Sequence, residues 1–282
     1  MKTLRSPGSV KKWVTARHAE GKKVALVPTM GSLHEGHLSL IEAARATADC
    51  VIVSIFVNPT QFGPNEDYQT YPRPLRRDSA QCRAQGVDLV FAPAPGDMYT
   101  ETFSTWVNEE LLTEHLCGLQ RPGHFRGVCT VVLKLFMICR PDYAFFGQKD
   151  AQQTLVIKRM VRDLDVPVTL QICPIVRERD GLALSSRNAY LTEIERVQAP
   201  VINTGLQQVK VWKKQNLSPA QIRRKLIRFI KTAPDARIDY ALIVDEETLE
   251  PVTKASAGQK LLVAVAVFFG KTRLIDNVRV RW

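Results

Sequence analysis

The stretch Val24-Ala-Leu-Val-Pro-Thr-Met-Gly-Ser-Leu-His-Glu-Gly-His37 establishes the architecture of this chain. It opens with a continuous apolar run, which is typical of a strand in a parallel sheet covered on both faces. After it, Leu38, Ile41 and Ala44 approach helical spacing. The segment therefore predicts a buried strand, a glycine-containing loop and a helix.

The same alternation continues along the chain. The apolar pattern predicts further strands at 51–57, 87–91, 143–146 and 168–173, and helices at 10–20, 75–85, 125–139 and 151–164. Gly86 follows one of these helices, where a left-handed C-cap is expected. Repeated βα units predict an α/β fold with an open, doubly wound parallel sheet, whose ligands bind at the carboxyl ends of the strands.

The pattern changes after about Asn188. Thr192 with Glu195 and Ser218 with Gln221 each have the spacing of a capping box and mark two helix starts. Apolar strands are predicted near 238–244, 261–268 and 273–280. We therefore expect a first domain at 1–187 and a small C-terminal α+β domain at 188–282.

The formal net charge of +11 raises the question of nucleic acid. On a helix, the cations Arg224, Lys225, Arg228 and Lys231 share one face. A solvated face and an RNA-binding surface both fit this spacing. Since no basic motif interleaved with aromatic residues accompanies it, we expect the solvated face and no nucleic-acid partner.

The cysteine spacing and the apolar runs indicate the cellular compartment of the protein. The six cysteines show no CxxC pair and no zinc-like spacing, which suits a reducing environment. The start of the chain has no apolar stretch typical of a signal peptide. The longest apolar run, 261–269, is too short to cross a bilayer as a helix and is interpreted as a buried strand. We expect a cytoplasmic protein with no membrane association.

The first candidate site is the loop that carries His34 and His37. Gly31 and Gly36 allow close backbone approach, and the start of the following helix offers N–H groups to phosphate. Three interpretations remain open: capping or surface histidines, a zinc site, and a nucleotidyl-transfer site in which imidazoles donate hydrogen bonds to phosphate oxygens. Zinc is the weakest, because the HxxH spacing differs from HExxH and no third ligand stands out.

A second group of residues lies at other predicted strand ends. Gly147 and Lys149 precede a helix, and Ser185, Ser186 and Arg187 are consecutive. Hydroxyl groups and a guanidinium suit a triphosphate, although Ser-Ser-Arg-Asn alone also fits an ordinary polar turn. Their occurrence at the strand ends of one sheet favours a nucleotide site.

Taken together, these motifs resemble the pantoate–β-alanine ligase family over nearly the whole chain. The matching segments are Val27–His37, Ser54–Phe62, Arg121–Gly127, Phe146–Asp150, Leu182–Asn188 and Gly270–Asn277.

The resemblance implies a cytoplasmic homodimer with a Rossmann-like domain of the class I nucleotidylyltransferase type. It also implies that pantoate, ATP and β-alanine are the substrates and that Mg²⁺ accompanies ATP. Pantoate would react with ATP to give pantoyl adenylate and pyrophosphate. The amine of β-alanine would then displace AMP and give pantothenate.

The resemblance also assigns site residues. His34, His37 and Lys149 would be catalytic, with His37 the usual proton donor. The ATP-binding residues would be Met30, Gly31, Ser32, Leu33, His34, Glu35, Gly36, His37, Gly147, Gln148, Lys149, Asp150, Val176, Leu184, Ser185, Ser186 and Arg187. Gln61 and Gln153 would bind the pantoate oxygens, and Phe146 would face its methyl groups.

The chain departs from the family near the magnesium site. Arg77 stands where the family commonly has a carboxylate, which leaves Asp78 and Gln81 as the predicted metal ligands.

Two rival functions fit parts of the sequence. Another nucleotidylyl-transferring enzyme of the same superfamily is disfavoured by Gln61, Gln153 and the 121–127 segment, and by the absence of an anticodon-binding module. An RNA-binding protein on a nucleotide-binding fold is suggested only by the net charge.

Overall fold

A computed structural model describes residues 1–64 and 66–282 of the chain. The helices are α1 Pro7–Ala19, α2 Glu35–Thr47, α3 Leu75–Ala84, α4 Pro95–Met98, α5 Leu116–Gln120, α6 His124–Cys139, α7 Ala151–Asp163, α8 Glu193–Gln198, α9 Val201–Lys214 and α10 Pro219–Ile230. The strands are β1 Lys2–Leu4, β2 Val24–Thr29, β3 Cys50–Ile55, β4 Leu89–Phe91, β5 Tyr143–Gly147, β6 Thr169–Cys173, β7 Ala236–Asp245, β8 Lys260–Phe269 and β9 Thr272–Arg281.

The chain divides into two compact units. The first comprises Met1–Thr113, Gly118–Gln148 and Gln152–Pro174. The second comprises Glu114–Cys117, Lys149–Ala151 and Ile175–Trp282. The division thus falls after Pro174 rather than after Arg187, and it places the predicted phosphate-binding residues 184–187 in the C-terminal unit.

The first unit is built on a six-stranded parallel sheet with strand order β1-β4-β3-β2-β5-β6. The chain runs outward from β2 through β3 to β4, and then returns to place β5 on the other side of β2. The point between β2 and β5 is therefore the topological switch, outside which open α/β sheets bind their ligands. The predicted doubly wound parallel sheet is confirmed.

The central strands owe their place to their apolar sequence. Val24, Ala25, Leu26 and Val27 of β2 are fully buried, as is most of β3. One face of the sheet packs against the apolar side of α2, including Ile41 and Ala44, in a single core cluster. Burial on both faces explains why these strands are continuously apolar rather than alternating.

One strand was not predicted. Residues Lys2–Leu4 form β1, which pairs in parallel with β4 at the edge of the sheet. Three residues carry too little periodicity to indicate a strand, so only pairing with β4 determines their conformation. Along residues 1–64 and 66–282, no helix is both long and apolar enough to cross a membrane.

The C-terminal unit has an antiparallel sheet of order β7-β8-β9, and α9 and α10 pack beside it. Strand β8 is buried along nearly its whole length, as predicted for the run 261–269. Helices α8 and α10 begin with the predicted capping boxes. The cations of α10, Arg224, Lys225 and Arg228, are exposed.

Candidate active site

The loop between β2 and α2 has an unusual backbone. Gly31 and Ser32 both have left-handed conformations, with φ of 81° and 52°. The Gly31 N–H donates to Thr29 Oγ1 at 3.1 Å, and Thr29 Oγ1 donates to the Ser54 carbonyl on β3 at 2.7 Å. A Cβ at Gly31 would lie 2.9 Å from the Asp78 carboxylate. The sequence here must therefore contain glycine because both conformation and space require it.

Asp78 on α3 stabilises this loop. Its two carboxylate oxygens accept hydrogen bonds from the Ser32 N–H and the Leu33 N–H, each at 2.9 Å, and the residue is fully buried. Without such an acceptor, these buried N–H groups would each cost about 1–3 kcal/mol. Asp78 thus holds the loop in its left-handed path.

This geometry does not fit the predicted role of Asp78 as a magnesium ligand, because the carboxylate is buried and both its oxygens already bind backbone amides. The Gln81 side-chain oxygen is buried and has no hydrogen-bond partner, but one amide oxygen does not make a metal site. In the described part of the chain, no group of three or more His, Cys, Asp or Glu side chains is arranged to hold a metal ion. Magnesium in nucleotide sites relies mainly on phosphates and water.

The two histidines lie at the start of α2. His34 is the N-cap and its Nδ1 accepts from the Gly36 N–H at 3.1 Å. The His37 Nδ1 accepts from the His34 N–H at 3.4 Å, and the ring centroids are 4.2 Å apart. An accepting ring nitrogen carries no proton, so each neutral imidazole has its proton on Nε2 and donates from there.

The capping and nucleotide-binding interpretations of this motif are therefore compatible. Both Nδ1 atoms cap the helix, and both Nε2–H groups are donors at a helix N-terminus, where the backbone dipole favours anions.

Gln61 lies in the 3₁₀ turn Pro59–Gln61 that follows β3. Its Oε1 accepts from Asn58 Nδ2 at 3.1 Å, and its Nε2 lies 3.1 Å from Met30 Sδ. Asn58 is almost fully buried, and its own amide is oriented by the Tyr99 hydroxyl, which donates to Oδ1 at 2.8 Å. This chain of donors fixes the Gln61 amide with its NH₂ group as the donor beside Met30.

The end of β5 supplies the next candidates in the first unit. Phe146 is buried, and Gly147 ends the strand beside β2. On α7, Gln152 is buried and donates to the Leu112 carbonyl at 2.8 Å, whereas Gln153 is partly exposed. Of these neighbouring glutamines, Gln152 has a structural contact, and the predicted pantoate-binding residue Gln153 is the more exposed of the two.

In the C-terminal unit, Lys149 and Asp150 belong to the 3₁₀ turn Gln148–Asp150, and Lys149 Nζ lies 3.9 Å from the Asp150 carboxylate. The Lys149 carbonyl accepts from Asn277 Nδ2 at 3.0 Å. The Asn277 N–H in turn donates to Asp276, which is 3% exposed. The Lys149 backbone is thereby fastened to β9.

The same aspartate also holds the segment before Ser185. Arg177 binds both Asp276 oxygens, at 2.7 and 3.0 Å. Arg177 also pairs with Ala183 in an isolated antiparallel bridge, and the Leu184 N–H donates to the Val176 carbonyl at 3.0 Å. Asp276 thus connects the Lys149 turn with the hairpin that carries the predicted phosphate-binding residues.

The end of this hairpin is a capped turn. Ser185 is the N-cap of the 3₁₀ helix Ser186–Tyr190, and its Oγ accepts from the Arg187 N–H at 3.3 Å. Asn188 anchors the turn through Nδ2, which donates to Glu178 at 2.8 Å and to the Ala183 carbonyl at 3.1 Å. The polar-turn interpretation of Ser-Ser-Arg-Asn is therefore correct for the local structure, and it leaves a role in phosphate binding open.

Five of the six cysteines lie in surroundings that do not suit a nucleophile. All six are free. Burial raises the pKa of Cys82 and of Cys129 to about 12, and it raises the pKa of Cys50, Cys139 and Cys173 as well. These five thiols are therefore kept protonated near neutral pH, and a protonated thiol is a poor nucleophile.

Sequence reasoning missed the residues that support the site. Asp78 was assigned to metal, and Asn58, Asp276 and Asn277 were given no role. Asn58 and Asn277 lie inside segments that carry the family resemblance, and Asp276 precedes Asn277. The two-residue alternation of β9 places Asp276 on the same face as the buried Leu274, and a carboxylate on that face was the available signal.

In the first unit, an open parallel α/β sheet carries hydrogen-bond donors at the carboxyl ends of its strands, which is typical of nucleotide-using enzymes. The family model described as Pantoate-beta-alanine ligase matches residues 2–279. The chain belongs to this family, whose members join pantoate to β-alanine.

Relatives support the assignment over the full length. The pantothenate synthetase of Pseudothermotoga lettingae is 53% identical over 257 residues, which is 91% of each chain. That of Moorella thermoacetica is 52% identical over 282 residues, covering 99% of this chain and 98% of the relative.

Solved structures agree. A crystal structure of pantothenate synthetase from Thermus thermophilus has a TM-score of 0.92 and 46% identity, and 99% of each chain is covered. A pantoate–β-alanine ligase from Francisella tularensis, complexed with β-γ ATP and β-alanine, has a TM-score of 0.78 and 35% identity, with 99% of this chain and 97% of that chain covered.

The role of Asp78 can be tested directly. We expect Asp78→Asn to lower the free energy of unfolding by about 1–3 kcal/mol, because one loop N–H would face an amide NH₂ group. The KM for ATP should rise, while the Mg²⁺ concentration for half-maximal activity should not change. Urea denaturation and a magnesium titration measure these effects.

Asp142→Asn is the matched control, because Asp142 accepts from the Val24 N–H at 2.9 Å at the opposite edge of the sheet. It should lower stability without changing the KM for ATP. A tenfold shift in the magnesium requirement of Asp78→Asn at unchanged stability would instead make Asp78 a metal ligand.

Proposed function

We propose that this ligase makes pantothenate through pantoyl adenylate. A pantoate carboxylate oxygen bonds to the α-phosphorus of ATP, and the bond from that phosphorus to the pyrophosphate oxygen breaks. The β-alanine amine then bonds to the acyl carbon, the bond to the AMP oxygen breaks, and the amine releases a proton. AMP leaves more readily than an oxide ion would from a free carboxylate, which is why activation is needed.

The observation that carries this proposal is the pair of imidazoles at the start of α2. Their Nδ1 atoms accept from backbone N–H groups, so each neutral ring carries its one proton on Nε2 and can donate from there. Donors fixed before the reaction stabilise charge on phosphate oxygens without reorganisation. The ATP complex of the Francisella tularensis relative is consistent with ATP as the substrate.

We assign the other residues as follows. Lys149 neutralises charge that develops at the α-phosphate. Ser185, Ser186 and Arg187 bind the outer phosphates, and Arg187 can contact two oxygens at once. The segments 30–37, 147–150 and the residues Val176 and Leu184 complete the nucleotide site.

For pantoate, Gln61 donates from Nε2 to an oxygen, as its fixed amide orientation allows. Gln153 binds a second oxygen, and Phe146 contacts the methyl groups. Mg²⁺ would be held by the ATP phosphates and would neutralise part of their charge; we assign it no protein ligand. The proposal includes a cytoplasmic homodimer, which rests on the family resemblance.

Exchange of labelled pyrophosphate into ATP, measured with magnesium and without β-alanine, tests the adenylate. We expect exchange that requires pantoate, and AMP as the nucleotide product once β-alanine is added. Release of ADP and inorganic phosphate would show an acyl phosphate and overturn the proposal. A folded enzyme that makes pantothenate but shows no exchange would also contradict the proposal, provided that pyrophosphate is released from the enzyme. A single-turnover assay of AMP formation distinguishes retained pyrophosphate from the absence of an adenylate.

A further inference from the structure

Three side chains outside the assigned site, those of Glu66, Arg121 and His124, connect the turn that carries Gln61 with the start of α6. His124 Nδ1 lies 2.8 Å from the Gln61 carbonyl, and Arg121 Nη2 donates to the same carbonyl at 3.2 Å. A carbonyl only accepts, so His124 Nδ1 must carry a proton. The Gln61 backbone is therefore held by two donors at one oxygen.

Arg121 also determines the tautomer of His124. Its Nη1 lies 3.1 Å from His124 Nε2, and a guanidinium only donates, so Nε2 accepts. The contacts form one directed chain: Arg121 donates to His124, and His124 donates to the Gln61 carbonyl. This arrangement leaves the imidazole neutral, with its proton on Nδ1.

Glu66 holds the guanidinium in place. Arg121 Nε donates to Glu66 Oε1 at 2.6 Å, and Arg121 Nη2 donates to Oε2 at 2.5 Å. Burial alone would raise the pKa of Glu66, but the hydrogen bonds and charge of Arg121 hold it below its usual range. Both side chains of the pair are largely buried. A bidentate pair of this kind fixes the orientation as well as the position of the guanidinium.

The backbone of α6 contacts the same segment directly. A Cβ at Gly127 would lie 2.3 Å from the Thr60 carbonyl oxygen and 2.8 Å from the Gln61 nitrogen. The Gly127 carbonyl also accepts from Asn58 Nδ2 at 3.1 Å. Only glycine at position 127 allows the backbone of α6 to come this close to the turn 59–61. The first turn of α6 and the turn 59–61 are therefore in direct backbone contact.

We propose that Glu66, Arg121 and His124 are positioning residues for pantoate: they fix the backbone of Gln61 so that its side-chain NH₂ group meets the substrate. The proposal rests on the proposed role of Gln61. The three residues act through Gln61 and touch no reacting atom, so their loss weakens pantoate use more than ATP use. A displacement of the Gln61 amide by about 1 Å is enough to cost a large part of its contribution.

If the Glu66–Arg121 pair only stabilised the fold, its loss would lower the melting temperature and would impair the use of ATP and of pantoate equally. The test therefore measures the KM for pantoate and for ATP in pyrophosphate exchange, together with the melting temperature. For Arg121→Gln and Glu66→Gln we expect the KM for pantoate to rise about tenfold, with the KM for ATP within about twofold of the wild type. The double variant should be little worse than either single variant, because residues of one network are not additive.

Conservative variants give a sharper comparison. In His124→Asn the amide NH₂ group can take the place of Nδ1–H, so pantoate KM should stay within about threefold, whereas His124→Ala should resemble Arg121→Gln. Arg121→Lys keeps the charge but loses the bidentate geometry, so it should rescue only part of the defect. Gly127→Ala should raise the KM for pantoate without any change of charge.

Arg45→Gln is the matched control. Arg45 Nη1 binds Asp88 at 2.7 Å in the same unit, at the amino edge of the sheet. Its removal should leave the KM for pantoate unchanged. A rise in ATP KM equal to that in pantoate KM, or a full defect in His124→Asn, overturns the positioning role. Absence of pantoate-dependent exchange in the wild-type enzyme would instead reject the adenylate proposal, and normal pantoate use by Gln61→Ala would reject the assigned role of Gln61.

Discussion

Lys149→Ala is expected to lower the rate of pantoate-dependent pyrophosphate exchange by about 10²–10³-fold, the usual effect of removing one group that stabilises transition-state charge. The turn that carries Lys149 is fixed through its carbonyl to Asn277, so the backbone should not move when the side chain is shortened. The affinity for a non-hydrolysable ATP analogue should change much less, because charge at the α-phosphate develops mainly in the transition state.

Two variants control for charge and shape. Lys158→Ala removes an exposed cation from α7 and should keep full activity. Lys149→Arg keeps the charge on a larger, planar group and should recover only part of the rate. If Lys149→Ala exchanges pyrophosphate at a normal rate in rapid-quench experiments, Lys149 is not catalytic.

His37→Ala is expected to reduce exchange by a similar factor, about 10²–10³-fold. The alanine variant also loses an acceptor that caps α2, since His37 Nδ1 binds the His34 N–H. Loss of a cap costs about 1 kcal/mol and could by itself disturb the loop.

His37→Asn separates the two functions of the ring. The asparagine oxygen can replace Nδ1 as the cap, but nothing replaces the Nε2–H donor. We expect His37→Asn to retain the wild-type free energy of unfolding, measured by urea denaturation, and to be as slow as His37→Ala. An asparagine variant with near-normal exchange would show that the histidine serves the helix and not the phosphate.

The helix ends were predictable because they are local. Gly86 has the left-handed φ of 70° expected after α3. Ser218 and Gln221 bind each other's backbone at the start of α10, at 2.8 and 3.3 Å. Each depends on residues no more than four positions apart, so the pattern contained the whole interaction.

The position of the loops 30–37 and 147–150 directly after β2 and at the end of β5 was predictable from the apolar pattern. Ser185, Ser186 and Arg187 were also expected at a strand end of the parallel sheet, but they follow a hairpin in the C-terminal unit.

The supporting contacts of the site were not predictable, because they join distant positions. Asp78 binds amides 45 and 46 positions away, Arg121 binds Glu66 at a separation of 55, and Arg177 binds Asp276 at 99. Asp78 was predicted as a magnesium ligand because, without its hydrogen-bond partners, a carboxylate beside a phosphate-binding loop fits a metal as well as it fits the backbone amides that it accepts from.

The amino-acid pattern was thus sufficient for the parallel α/β sheet, the antiparallel C-terminal sheet, the capped helices and the family, since each depends on apolar periodicity or on short motifs. Only the tertiary structure determined strand β1 and the division of the chain after Pro174. It also determined the contacts that hold His34, Gln61 and the Lys149 backbone in place. The physical reason is that a buried carboxylate or guanidinium takes its role from the groups it neutralises, and folding brings those groups together from remote parts of the sequence.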